Sequence, residues 1–254
     1  MSSLIFSAAI RADSDWSGDW SGNITAVSAY VSRGFEQSWG QSALQGGAQY
    51  RYAEHWFIGT WGSTLSPYFI EGGSLEWDFY AGYANAYKGL DYQAGLYYYR
   101  YPGARSSATG TRYDYGEAII SIGLRGITLA YALTVTPDYF GFNSASVGQG
   151  AGLRSRGSGY LALDGALELN DRYTLKVHGG QQTVRNFSDY GWVDAQVSLA
   201  TRLYALDLAL GYARAWNTQG VYRRYTTGVP DGAGVLHVMD PIAGRWFLSV
   251  GWAF

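Results

Sequence analysis

The chain has 254 residues, no cysteine, and a formal net charge of −2 from 18 Lys and Arg against 20 Asp and Glu. It therefore forms neither disulfides nor thiolate metal sites; so small a net charge says little about partners, and no nucleic-acid partner is expected. Aromatic residues reach 17 % and charged ones only 15 %, but no run approaches eighteen consecutive apolar residues, which excludes a membrane-spanning helix.

Residues 1–18 open with a short apolar run, Leu4 to Ile10, then Arg11-Ala12-Asp13. They read as a leader remnant or a disordered N-terminus. From residue 19 to 254 the pattern is that of one barrel domain. The first strand is expected over 23–33, with its two faces not clearly distinguished. The next, 43–52, sets Leu44, Ala48, Tyr50 and Tyr52 against Gln45, Gln49 and Arg51. Strands at 55–65 and 75–87 follow. The second sends Leu75, Trp77, Phe79 and Ala81 one way and Glu76, Asp78, Tyr80 and Gly82 the other, the period of two that marks a strand. At 90–100, Leu90, Tyr92 and Leu96 alternate with Asp91 and Gln93.

The second half alternates more cleanly. Strands are predicted at 114–124 (Ile120 and Ile122 against Glu117 and Ser121) and 127–136. Those at 159–169 (Leu161 and Leu163 against Asp164 and Glu168) and 172–184 (Leu175 and Val177 against Arg172, Lys176 and His178) follow. Next come 192–203 (Val193 and Val197 against Asp194 and Arg202) and 204–215 (Leu206 and Leu208 against Asp207). The last strand, 243–254, carries Trp246, Leu248, Val250, Trp252 and Phe254 on one face and Arg245, Phe247 and Ser249 on the other.

Short connections fall at Ala53-Glu54, Lys88-Gly89, Arg125-Gly126, Asn170-Asp171 and around Leu203-Tyr204, and long ones lie between them. Strands of 10–13 residues, one apolar face each, and turns that alternate short with long specify an all-β, transmembrane, antiparallel up-and-down β-barrel of about twelve strands. Rings near strand ends, such as Tyr52, Trp56, Tyr87 and Tyr173, fit interfacial girdles. An even strand number puts both termini on the short-turn side, the periplasmic one if the barrel lies in a bacterial outer membrane.

Certain blocks resemble a known family. Ser28 to Ser38 (SAYVSRGFEQS), Ala43 to Tyr50 (ALQGGAQY) and Trp56 to Ser63 (WFIGTWGS) are similar, in sequence and spacing, to the opening blocks of the TorF-family porins. Asp78 to Tyr83 (DFYAGY) and Tyr97 to Gly103 (YYYRYPG) resemble later blocks, and Asp138 to Gly141 (DYFG) is a weaker echo. The family usually has an acidic residue where Ala29 stands here. The resemblance implies an outer-membrane channel. It also implies that Trp252 and Phe254, which end the chain as outer-membrane barrels end, act as the signal read by the barrel assembly machinery.

Charge on a lipid face costs about 2–4 kcal/mol per Arg or Lys at mid-membrane, so the strand charges are expected inside. The expected pore-lining set is Arg51, Glu76, Asp78, Asp91, Glu117, Arg125, Asp164, Glu168, Arg172, Lys176, His178, Asp194, Arg202, Asp207 and Arg245. Glu76, Asp78, Glu117 and Asp194 fall in the long-loop half, opposed there mainly by Arg245. The function expected is passive diffusion of small polar or charged solutes through a narrow lumen. The alternatives are a barrel hydrolase or a closed structural or receptor barrel acting through its loops. A hydrolase needs a His beside a nucleophile or an activated water, and the chain has His55, His178 and His237, the last near Asp231 and Asp240. No nucleophile elbow, metal motif or phosphate loop is present, so the expectation is no catalytic residue, metal or cofactor. Arg105, Arg112, Arg154, Arg156, Arg185, Arg223 and Arg224 make the loops basic, suited to lipopolysaccharide phosphates or to gathering anions at the mouth. The Tyr-rich segment 221–227 suits a receptor.

Overall fold

In the computed structural model residues 18–254 are described, and they close into a barrel of twelve antiparallel strands. The expectation for residues 1–18 lies, Gly18 apart, outside the described residues. β1 (Asp19–Val27) enters the wall, and β2 (Val31–Ser32) and β3 (Phe35–Glu36) pair only with each other. The wall resumes with β4 (Ala43–Tyr52), β5 (Trp56–Thr64), β6 (Leu75–Tyr87), β7 (Leu90–Arg100), β8 (Tyr115–Leu124) and β9 (Ile127–Thr134). It is completed by β10 (Gly159–Glu168), β11 (Tyr173–Thr183), β12 (Trp192–Leu203), β13 (Leu206–Trp216) and β14 (Arg245–Ala253). Helical structure among the described residues is confined to one turn, α1 (Ser144–Val147), and a three-residue 3-10 turn, both in loops.

Closure is made by β1, which pairs with β4 on one side and β14 on the other. The last residue extends that seam: Phe254 N–H donates to Gly22 O at 3.0 Å, and Gly22 N–H donates to Phe254 O at 2.8 Å. With no edge left, every wall strand satisfies its backbone within the sheet, which hydrocarbon requires. Side chains alternate as the pleat dictates. On β6, Leu75, Trp77 and Phe79 are exposed while Glu76, Asp78 and Tyr80 are buried. Ile24, Leu44, Ile58, Leu96, Ile120 and Leu163 are exposed on other strands, an apolar outer surface far larger than a water-facing protein tolerates.

At one end the strands are joined by tight turns. Ala53-Glu54, Lys88-Gly89 and Arg125-Gly126 each have two consecutive residues at positive φ, the primed-turn conformation whose twist matches the flanking strands. The long connections gather at the other end. One expected strand is different: the wall strand stops at Val27, not Arg33, and the chain turns inward. At the bend Ser28 N–H still donates to Leu248 O at 2.9 Å, while its Oγ accepts from Leu248 N–H at 2.9 Å. The hydroxyl thus replaces the carbonyl that a continuing strand would have offered. The indistinct faces of 23–33 have their reason here, since its last residues lie within the lumen and meet protein on every side.

Candidate functional site

The inward segment, residues 28–42, is held at the centre of the long-loop half. Arg33 and Gly34 form its turn, at φ 48° and 79°. Gly34 is required there: a Cβ would lie 2.6 Å from Cβ of Ala215 and 2.7 Å from Cβ of Asp194. Arg33 makes a bidentate ion pair with Glu117 on β8, Nη2 to Oε2 at 2.6 Å and Nη1 to Oε1 at 3.1 Å, with side chains 4 % and 0 % exposed. Its Nη1 also donates to Gln182 Oε1 at 2.9 Å, and its guanidinium lies 4.3 Å from the Tyr160 ring centroid. Trp192 Nε1 donates to Arg33 O at 2.9 Å. Four wall strands (β8, β10, β11 and β12) thus converge on one arginine.

Aromatic rings fill the space around it. Tyr99 and Tyr115 stack at 4.4 Å between centroids, and Phe35 meets Trp192 and Tyr222 edge-on at 4.7 and 4.8 Å. Tyr30 OH donates to Glu76 Oε2 at 2.6 Å and Tyr101 OH to Oε1 at 2.9 Å. Burial pushes the Tyr30 and Tyr101 hydroxyls well above their usual pKa, and the Glu76 charge adds to it, so both stay protonated donors. Glu36 accepts from Ser38 Oγ and Gly40 N–H, and Arg245 Nε lies 3.6 Å away. Loops lock over this layer: Tyr225 OH donates to Phe69 O, and Glu36 N–H to Pro241 O.

Below the hairpin the lumen opens into a cavity of about 710 Å³ toward the short turns. Arg51, Asp91, Asp164, Lys176 and His178 line it, with Gln93, Gln196 and Ser198 among the uncharged groups. At its ceiling His178 Nδ1 lies 2.8 Å from Asp164 Oδ1, and Nε2 lies 3.0 Å from Asp194 Oδ1 and 2.8 Å from Tyr160 OH. The lumen is therefore divided into a packed half and an open, charged half.

The residues expected along the lumen separate accordingly. Glu76, Asp78, Glu117 and Asp194 are buried in the packed half. The cation that faces Glu117 is Arg33 from the hairpin; Arg245, the opponent expected from the sequence, approaches Glu36 instead. Glu168, Arg202 and Asp207 stand exposed near the short-turn rim, where Arg202 Nε is 3.5 Å from Asp207 Oδ1. Arg125 and Arg172 lie just outside the strands, in exposed turns. Trp252 and Phe254 are on the outer face, centroids 4.9 Å apart. His237 pairs with Asp231 at 2.9 Å and stacks on Tyr68 at 3.8 Å, on the loop side. Of the loop arginines, Arg154 is paired with Asp138 at 2.7 Å.

Arg33, Glu36, Tyr160 and Trp192 were not singled out by the strand pattern. The signal for the first two was local: Arg-Gly between Val31-Ser32 and Phe35-Glu36 is a two-residue hairpin sequence.

A family model described as "Bacterial protein of unknown function (Gcw_chp)" matches residues 11–238. No curated protein sequence matches the chain. Among solved structures, the NanC porin is similar with a TM-score of 0.51 at 10 % identity, over 92 % of this chain and 98 % of that one. The KdgM porin is similar with a TM-score of 0.52 at 7 % identity, over 92 % and 99 %. A second KdgM structure, in complex with disordered oligogalacturonate, gives 0.52 at 6 % identity, over 93 % and 99 %. At such identities the likeness is one of fold: this barrel has the architecture of outer-membrane porins.

Proposed function

Since the chain belongs to the Gcw_chp family, whose description names no activity, we propose from its own geometry that it is a channel of the bacterial outer membrane for small polar or charged solutes, closed at one end by residues 28–42. The observation that carries this reading is the division of the lumen. A structural barrel fills with side chains along its height, whereas here a charged cavity of about 710 Å³ runs from the short-turn end to the layer of His178, Asp194 and Tyr160, where Arg33 of the inward segment lies over the Tyr160 ring. Past Ser28, such a segment can be displaced without breaking any backbone hydrogen bond between wall strands. The resemblance to TorF-family porins over the opening blocks supports the same reading. The long loops then face outward and both termini the periplasm, as in outer-membrane barrels generally. Arg105, Arg112, Arg156, Arg185, Arg223 and Arg224 are available to lipopolysaccharide phosphates, and the terminal strand to the assembly machinery.

The lining charges bear on the solute. Arg51 and Lys176 share the cavity with Asp91 and Asp164, and a mixed wall favours small solutes of either sign over a polyanion. Such a pore conducts little until the hairpin moves.

Because Val27 and Ala43 are register partners in the β1–β4 pair, a short Gly-Ser linker can replace residues 29–40 without stretching the wall. In planar bilayers the full chain is expected to be mostly closed and the linker variant to give steady ohmic conductance. If the variant shows heat-modifiable migration, the sign of an intact barrel, and is still silent, the channel reading fails and a closed structural or receptor barrel takes its place.

A further inference from the structure

The packed half is not solid. Between the hairpin and the long loops lies a cavity of about 240 Å³, lined by Phe35, Tyr101, Tyr139, Phe140, Trp192 and Tyr222 among other rings. Exposed Ser146 and Val221 also line it, so it reaches the surface on the loop side. Four buried polar side chains complete the lining: Ser32, Arg33 and Gln37 from the hairpin and Glu76 from β6.

Their chemistry selects a ligand. The Arg33 charge is answered by the two Glu117 oxygens. Glu76 is different. Both its hydrogen bonds come from neutral hydroxyls, and among the described residues no Lys, Arg or His pairs with it. Asp78, on the same face two residues along β6, adds a second buried carboxylate. Gln37 is 7 % exposed, and its Oε1 is buried with no hydrogen-bond partner among the described residues. The groups left unanswered around this cavity are therefore acceptors and negative charge, set in a wall of π-systems. A buried acceptor without a donor and a buried charge without a counter-charge are each costly, and aromatic rings attract cations.

We propose that this cavity is a binding site for a small organic cation, an ammonium carrying an apolar or aromatic substituent. Its N–H answers the Gln37 carbonyl, its charge answers Glu76, and its substituent packs against the rings. The site faces the loop side and stands whether or not the barrel conducts.

The test is calorimetric titration of the detergent-solubilised full chain with phenethylammonium chloride, its neutral analogue 2-phenylethanol, and the anion 3-phenylpropionate. The cation is expected to bind at least about tenfold tighter than the neutral analogue, with no binding of the anion. Glu76→Gln should abolish the advantage of the cation while leaving the neutral analogue unchanged. Gln37→Leu, further from the wall, gives a second reading should Glu76→Gln disturb folding, and should weaken the cation about tenfold. Equal binding of cation and neutral analogue would make the cavity a site for uncharged rings, and it overturns the proposal. So does an unchanged preference in Glu76→Gln, or the absence of cation binding, which would mean that a proton alone compensates the carboxylates.

Discussion

Glu117→Gln is the sharpest test of what holds the hairpin in the lumen. The substitution keeps the size of the side chain and removes the charge that faces Arg33. A buried pair that loses one partner leaves the other charge uncompensated, at a cost of about 3–5 kcal/mol. Arg33 has an escape that Glu117, fixed in the wall, lacks: it can leave with its hairpin. Against this stand Tyr30, Val31 and Phe35, at 1 %, 6 % and 9 % exposure. Each contributes about 1.5–3 kcal/mol by burial, so about 5–9 kcal/mol together resists departure. The apolar term is the larger, so the substitution does not expel the hairpin outright. It raises the population of the open state by a factor of about 10² to 10⁴, since each 1.4 kcal/mol is about tenfold. In single-channel recordings a barrel that is almost silent should begin to show discrete opening events. Replacing both partners, Arg33→Leu with Glu117→Met, should return the barrel to silence, because a buried pair exchanged for apolar groups of similar volume is often neutral. Recordings of Glu117→Gln identical to those of the unmodified chain would refute the reasoning, and so would a double variant more open than the single one.

Three further outcomes follow from the geometry. Deleting Phe254 removes two backbone hydrogen bonds to Gly22 from the closing seam, together with its ring packed at a tilt against Trp252; the variant should lose most of its heat-modifiable fraction in outer membranes, and normal migration would contradict the role given to the terminal residue. Gly34→Val places atoms where Ala215 and Asp194 already stand and forces a β-branched residue to φ 79°; conductance should rise as it does on hairpin removal, and a silent, intact barrel would show that the turn tolerates a side chain. The hydrogen bond from His237 holds the Asp231 carboxyl below its usual 3.8, with backbone N–H groups of Val235 and Ala233 adding to it. A depressed carboxylate contributes above its unfolded pKa and is lost only as pH falls through the folded one, so mutual ring-current shifts of the Tyr68–His237 stack in NMR spectra should persist down to pH 3.8 and fade below it; fading well above that value would mean that another group governs the loop.

The wall was legible because membrane strands obey one rule. At Leu75-Glu76-Trp77-Asp78 each residue states its own side, and hydrocarbon enforces the statement at several kcal/mol per error. The turns were legible for a similar reason, since Lys88-Gly89 and Arg125-Gly126 carry the conformational demand of a primed turn in their own composition. The hairpin was not. Residues 29–36 lie where every side meets protein, so no alternation is imposed on them, and Tyr30, Arg33 and Glu36 are buried alike. The partners of Arg33 are 84 and 149 residues away in sequence, and no local pattern specifies pairings so remote. The charge of Glu117 was placed in the lumen from the sequence, but the cation that answers it came from a segment assigned to the wall.

The bend at Ser28 has a consequence for how the barrel is made. Apart from the closing seam, each wall strand bonds only to its neighbours in sequence, so the sheet could be laid down strand by strand as a ribbon before its two edges meet. The hairpin departs from the first strand and reaches β8, β10, β11 and β12. It ties those later strands to the leading edge from inside the lumen. Strand number and stagger set the radius of the finished cylinder, and the arginine ties together, across its bore, strands that share no backbone bond with the first.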